Sequence, residues 1–91
     1  MANHKSAMKR DRQSKVRRLR NRAIKSKMKT AVRKVEEAIR AGSHEQAEDA
    51  LRKAIPVIYK TASKGTIHRK TASRKVSRLT RHVNKLAAAE A

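Results

Sequence analysis

Arg18, Arg22, Lys25, Lys29 and Arg33 follow one another at steps of four and three, and so do Lys70, Arg74, Arg78, Arg81 and Lys85. On a helix each set falls within one arc of about 80°, its side chains about 5.4 Å apart along a line. That interval is close to the spacing of successive phosphates on a nucleic-acid backbone. Half of the 26 basic residues are Arg, whose planar guanidinium can fork onto two phosphate oxygens. Ser6, Gln13, Ser14, Asn21, Ser26, Thr30, Thr71 and Ser73 stand between the charges as short donors suited to phosphate and ribose. An ordinary solvated stripe interleaves acids with its cations. These two contain almost none, so the chemistry they offer is recognition of a polyanion.

Other chemistry lacks its residues. His4, His44, His68 and His82 share no metal-ligand spacing, and the chain has no cysteine, which removes disulfides and zinc ribbons. No carboxylate pair sits in an apolar setting, no Gly-rich loop could cradle a phosphate, and no Ser has a nucleophile-elbow pattern. An enzyme is not expected, nor a metal or cofactor. Tyr59 is the only aromatic, so single-stranded bases find no stacking platform. Recognition must run through phosphates, sugars and shape.

Charge divides the 91 residues into three parts. Residues 1–34 carry 14 basic residues and one acid, Asp11; residues 35–55 carry Glu36, Glu37, Glu45, Glu48 and Asp49 against Arg40, Arg52 and Lys53; residues 56–91 carry nine basic residues and one acid. The total is +19, a field that suits a nucleic-acid partner. The acidic middle is expected to face away from it. The opening residues have no apolar run like that of a signal peptide. The longest, Ala54-Ile55-Pro56-Val57-Ile58-Tyr59, is far short of the roughly 20 residues a membrane span needs. The expected compartment is the cytoplasm.

The elements that must position the two stripes are helices. Val16, Leu19, Ala23, Met28, Ala31, Val35 and Ile39 recur at helical spacing, as do Ala47, Leu51, Ala54, Ile55, Ile58 and Ala62. Ala72, Val76, Leu79, Val83 and Leu86 alternate steps of four and three, like a coiled-coil seam. Gly42 and Gly65 each read as a helix end, with Ser43 and Thr66 as the next N-caps and Ser43/Gln46 as a capping box. Pro56 predicts a kink.

The expectation is one all-α domain over residues 1–91, an up-down-up three-helix bundle with helices at about 6–41, 44–63 and 67–87. The first helix outruns its neighbours, so its N-terminal part overhangs the bundle. Like-charge pairs one turn apart, such as Lys5–Lys9 and Arg18–Arg22, each cost roughly 0.2–0.5 kcal/mol there. Residues 1 to about 15 are expected to be frayed until an anion neutralises them.

Two blocks resemble a known family. Ala2-Asn3-His4-Lys5-Ser6-Ala7-Met8-Lys9-Arg10, with Gln13, Arg17, Arg18, Asn21, Lys25-Ser26 and Lys29-Thr30, is similar to the start of the bacterial small-subunit ribosomal protein twenty family. Lys64-Gly65-Thr66-Ile67-His68-Arg69-Lys70-Thr71-Ala72-Ser73-Arg74-Lys75, then Ser77-Arg78-Leu79, resembles that family's entry into its third helix. Ala41-Gly42 and Pro56 fall where the family has them, and Lys70 stands where Asn would be expected. The likeness covers residues 2–86.

The resemblance implies a three-helix bundle bound to small-subunit ribosomal RNA (rRNA) early in assembly, at the foot of the subunit body. It implies contacts with the RNA's 5′ domain and with the long penultimate stem near its 3′ end. It carries RNA contact onto Asn3, Lys5, Ser6, Lys9, Arg10, Gln13, Arg17, Arg18, Asn21, Arg22, Lys25, Ser26, Lys29, Thr30, Lys64, His68, Arg69, Ser73, Arg74 and Arg78. The two stripes add Arg33, Lys70, Arg81 and Lys85. A monomer among neighbouring ribosomal components is expected.

Two other classes share the charge. DNA-compacting nucleoid proteins usually lean on Lys and lack such paired caps. A peripheral membrane binder would need exposed Phe, Trp or Leu to enter lipid. Composition does not separate RNA from DNA.

Overall fold

The computed structural model describes residues 2–90, with side-chain surroundings for residues 5–89. Three helices follow one another: α1 (Ala2–Arg40), α2 (His44–Ser63) and α3 (Arg69–Glu90), with no strand among the described residues. α2 packs on both neighbours, while α1 and α3 touch each other little. The all-α, three-helix expectation is borne out. α2 has the expected bounds, α1 starts earlier than expected, and α3 starts two residues later.

Both breaks use one device. Gly42 donates its N–H to the Ile39 carbonyl (3.0 Å) and Ser43 to that of Ala38 (3.3 Å). Gly65 and Thr66 repeat this on Ala62 (2.9 Å) and Thr61 (3.3 Å). This is the Schellman closure of a helix end, which needs a left-handed residue at its turn. Gly42 and Gly65 supply it, with φ of +74° and +78°. A side chain at either position would cost roughly 1–2 kcal/mol.

The starts differ from one another. Ser43 Oγ accepts from the Gln46 N–H at 3.4 Å, so half of the expected capping box forms. The reciprocal half has no donor, because the Ser43 N–H is already held by Ala38. At α3 the expected cap, Thr66, is corrected: its N–H closes the preceding helix, and its buried Oγ1 has no partner. His68 caps α3 instead, with Nδ1 accepting from the Lys70 N–H at 3.1 Å.

The core is aliphatic and thin. Met28, Val35 and Ala38 from α1 meet Ala47, Leu51, Ala54 and Ile58 from α2 and Ala72, Leu79 and Val83 from α3. Thr61 is also buried. Its hydroxyl donates to the Val57 carbonyl at 2.8 Å, so within the seam it behaves as a β-branched apolar residue. Pro56 lies on the exposed side of α2, which runs through it. The Arg52 carbonyl, deprived of its donor there, is on the side that water reaches.

Three expected core residues are not in the core. Val16 is 50% exposed and Leu19 65% exposed, and Ala23 is exposed too. The reason is length. α2 and α3 span about 30 Å, whereas α1 spans nearly twice that. Going towards the N-terminus, Ile24 is the last half-buried residue of α1 among those whose side chains are described. The overhang is therefore about 22 residues, longer than the sequence suggested.

Size measures agree. The radius of gyration is 18.2 Å and the long axis 70 Å, against about 12 Å for the radius of a compact chain of this length. The accessible surface is 7425 Å², where a compact protein of 10.3 kDa would expose about 5,400 Å². The excess belongs to a shape whose first helix runs well beyond the other two.

Candidate nucleic-acid interface

All ten stripe residues are exposed: Arg18, Arg22, Lys25, Lys29 and Arg33 on α1, and Lys70, Arg74, Arg78, Arg81 and Lys85 on α3. Each stripe lies away from its own helix's buried seam. Those seams both face α2, and α1 and α3 barely meet. The stripes therefore form two separate cationic flanks with the middle helix between them. A protein of this form can hold two backbone segments that approach from different directions.

Lys5, Ser6, Lys9, Arg10, Gln13, Arg17, Asn21, Ser26, Lys64, Arg69 and Ser73 are also exposed. The side chain of Asn3 lies outside the described residues. Thr30 is exposed, but its hydroxyl donates to the Ser26 carbonyl at 3.0 Å. It is left with lone pairs, which suit a ribose 2′-OH better than a phosphate. His68 binds the Lys70 N–H through Nδ1, so the neutral ring carries its proton on Nε2 and offers a donor there.

Along the overhang the stripe is no longer a stripe. Arg12 and Arg20 are exposed on other sides of α1, and at 100° per residue the cations between Lys5 and Arg22 surround the helix. Sequence reasoning missed Arg20 because it assigned that side, with Val16, Leu19 and Ala23, to the core. The signal was in the lengths: α2 is too short to cover it. Met8, Val16 and Leu19 remain exposed among these charges.

The acids are accounted for elsewhere. Asp11 pairs with Lys15 at 3.2 Å and Asp49 with Lys53 at 3.2 Å, each one turn along its own helix. Such exposed pairs contribute only a few tenths of a kcal/mol. His44 lies 3.9 Å from Glu48. Glu36 and Glu37 near the end of α1, with Glu45, Glu48 and Asp49 at the start of α2, place the acidic part at the end of the bundle opposite the overhang. Among the described residues no His, Cys, Asp and Glu cluster could hold a metal ion, and no helix is long and apolar enough to cross a membrane.

Fold and charge define a class: small all-helical proteins shaped to lie against a polyanion. Comparison with known proteins narrows it. The sequence profile of the family described as Ribosomal protein S20 matches residues 2–84, and the chain belongs to that family. It is 61% identical to the small ribosomal subunit protein bS20 of Desulfotalea psychrophila over 89 residues, 98% of this chain and all of that one. It is 57% identical to the protein of that name from Syntrophobacter fumaroxidans over 86 residues, covering 94% of this chain and all of the other. With the one from Geobacter sulfurreducens it shares 55% over 86 residues, 94% and 99% of the two chains. These are structural proteins of the ribosome, not enzymes. The family anticipated from the two sequence blocks is the one found.

Proposed function

We propose that this chain is a structural component of the small ribosomal subunit in the cytoplasm, and that it binds small-subunit rRNA directly and holds its fold during assembly. The observation that carries this reading is the pair of unbalanced cationic flanks on a chain whose relatives are named small ribosomal subunit proteins. One flank engages the 5′ domain and the other the long penultimate stem, so that two parts of the RNA are held by one rigid body. The separate directions of the flanks support this division. The protein works as a monomer, since a second copy would bring together two strongly positive surfaces.

The test is competition at matched salt. Purified protein is offered small-subunit rRNA against duplex DNA of equal length. Preference for the rRNA by tenfold or more is expected; equal binding would favour the nucleoid reading.

The overhang is part of the same proposal. A helix that is polar and cationic on all sides has no packing to sustain it in isolation. Residue 1 lies outside the described residues; from Ala2 to about residue 15 the overhang is frayed in the free protein and becomes helical against RNA, and the fraying extends towards Ile24, where burial begins. Amide hydrogen exchange is expected to show no protection before about residue 20 in the free chain and protection of that stretch in the complex. Equal protection in both states would mean that the overhang is stable alone.

A further inference from the structure

The underside of the overhang meets the turn between α2 and α3 in a recess lined by Arg17, Arg20, Asn21 and Ile24 of α1 and by Lys64 and Gly65 of the turn. Arg17 and Arg20 share the helical side of Ile24, Ala31 and Val35, which is the side α1 turns towards α2. Read towards the N-terminus, that side runs Val35, Ala31, Met28, Ile24 and then changes within one turn to Asn21, Arg20 and Arg17. The change falls at the level where α2 ends. Positions that continue a core face are thus filled with cations at the first place the core no longer covers them.

Three cations border this concavity without an acid in its lining. Among the described residues none of the three makes an ion pair, and the nearest acid in sequence, Asp11, is engaged by Lys15 at 3.2 Å. Arg17, Arg20 and Lys64 are exposed, so nothing in the chain itself answers their mutual repulsion. The ligand that fits is a compact anion reached by two guanidinium forks and one ammonium.

We propose that this recess is a phosphate seat, in which Arg17, Arg20 and Lys64 grip one backbone segment of the folded RNA together. Arg20, which belongs to neither cationic flank, is a binding residue. The seat joins the overhang and the α2–α3 turn through a single ligand, and so fixes the direction in which the overhang leaves the bundle. The inference rests on the RNA-binding reading above and adds a third point of attachment to it.

A double-mutant cycle with small-subunit rRNA tests it, using Arg20→Ala, Lys64→Ala and the pair. Each single change is expected to weaken binding about three- to tenfold and to lower the salt slope by about 1. If both side chains hold the same phosphate, the double mutant loses less than the product of the singles, by about threefold or more. Arg20→Ala combined with Arg81→Ala, on the far flank, should multiply independently. Arg20→Lys should recover only part of the loss, since it keeps the charge but not the fork. Melting temperatures of the free variants should match that of the parent.

Independent effects of Arg20 and Lys64 would overturn the shared seat, and so would unchanged binding by Arg20→Ala while Arg22→Ala, on the α1 flank, weakens it. If the parent protein itself failed to prefer rRNA, the reading beneath would fall instead.

Discussion

Binding to small-subunit rRNA is expected to weaken by about 10³–10⁵-fold as salt rises from about 50 to 200 mM. Each neutralised phosphate releases condensed counterions, and the entropy of that release shrinks as bulk salt increases. Ten exposed cations stand on the two flanks, with more around the overhang and its recess. If about eight engage phosphates, the slope of log K against log salt is about −6 to −7, from roughly 0.7–0.9 per contact. Base stacking would not follow this law, but Tyr59 is the only aromatic. A salt titration of the complex measures the slope directly. A nearly flat plot would remove phosphate contact as the source of affinity.

Ile58→Ala is expected to lower stability by about 2–5 kcal/mol, a large part of the total for so short a chain, which is on the order of 5–14 kcal/mol. Ile58 is fully buried and sits in α2, the helix that packs on both others. The cavity left by truncation would open in a core made of ten small or medium aliphatic residues, with no large side chain to collapse into it. Tyr59, one position along and 42% exposed, is the control. Tyr59→Ala should cost about 1 kcal/mol or less. Thermal denaturation of the two free variants makes the comparison. Equal melting of Ile58→Ala and the parent would mean that the seam has been placed on the wrong side of α2.

The helix breaks were legible because glycine has a reason to be where it is. Gly42 and Gly65 have the left-handed backbone that a helix end asks for, and no other residue among those described has it. The seams of α2 and α3 were legible for a similar reason: Ala47, Leu51, Ala54 and Ile58 repeat with a helical period along the side that α2 turns to its neighbours. Thr61 escaped notice because a hydroxyl looks polar until its donor is seen to be satisfied inside the helix.

The first helix was the harder case. Val16, Leu19 and Ala23 keep helical spacing among themselves but lie about 100° or more around α1 from Met28 and Val35, and spacing alone does not say where the partner stops. Only the length of α2 does. The same gap hid Arg20, which lies off the cationic arc of Arg18, Arg22, Lys25, Lys29 and Arg33 on a side read as apolar. Thr66 has the residue type of a cap, but the Schellman closure uses its N–H and shifts the start of α3 to follow His68. The flanks needed only a count of turns, whereas the recess needed two segments, Arg17–Ile24 and Lys64–Gly65, to be brought side by side by the fold.

The overhang, left bare along most of its length, also bears on how long an unassembled copy lasts. About 22 residues rich in Lys and Arg, meeting the rest of the chain only near the α2–α3 turn, are a ready substrate for proteases that cut extended, basic segments. Cleavage there tracks local opening rather than global unfolding, so a stable bundle gives the segment no shelter. A copy seated on RNA hides the same bonds under its ligand. Limited trypsin digestion is therefore expected to cut the free protein before Ile24 and to spare the same bonds in the RNA complex; equal cleavage of both would mean that RNA does not cover the overhang.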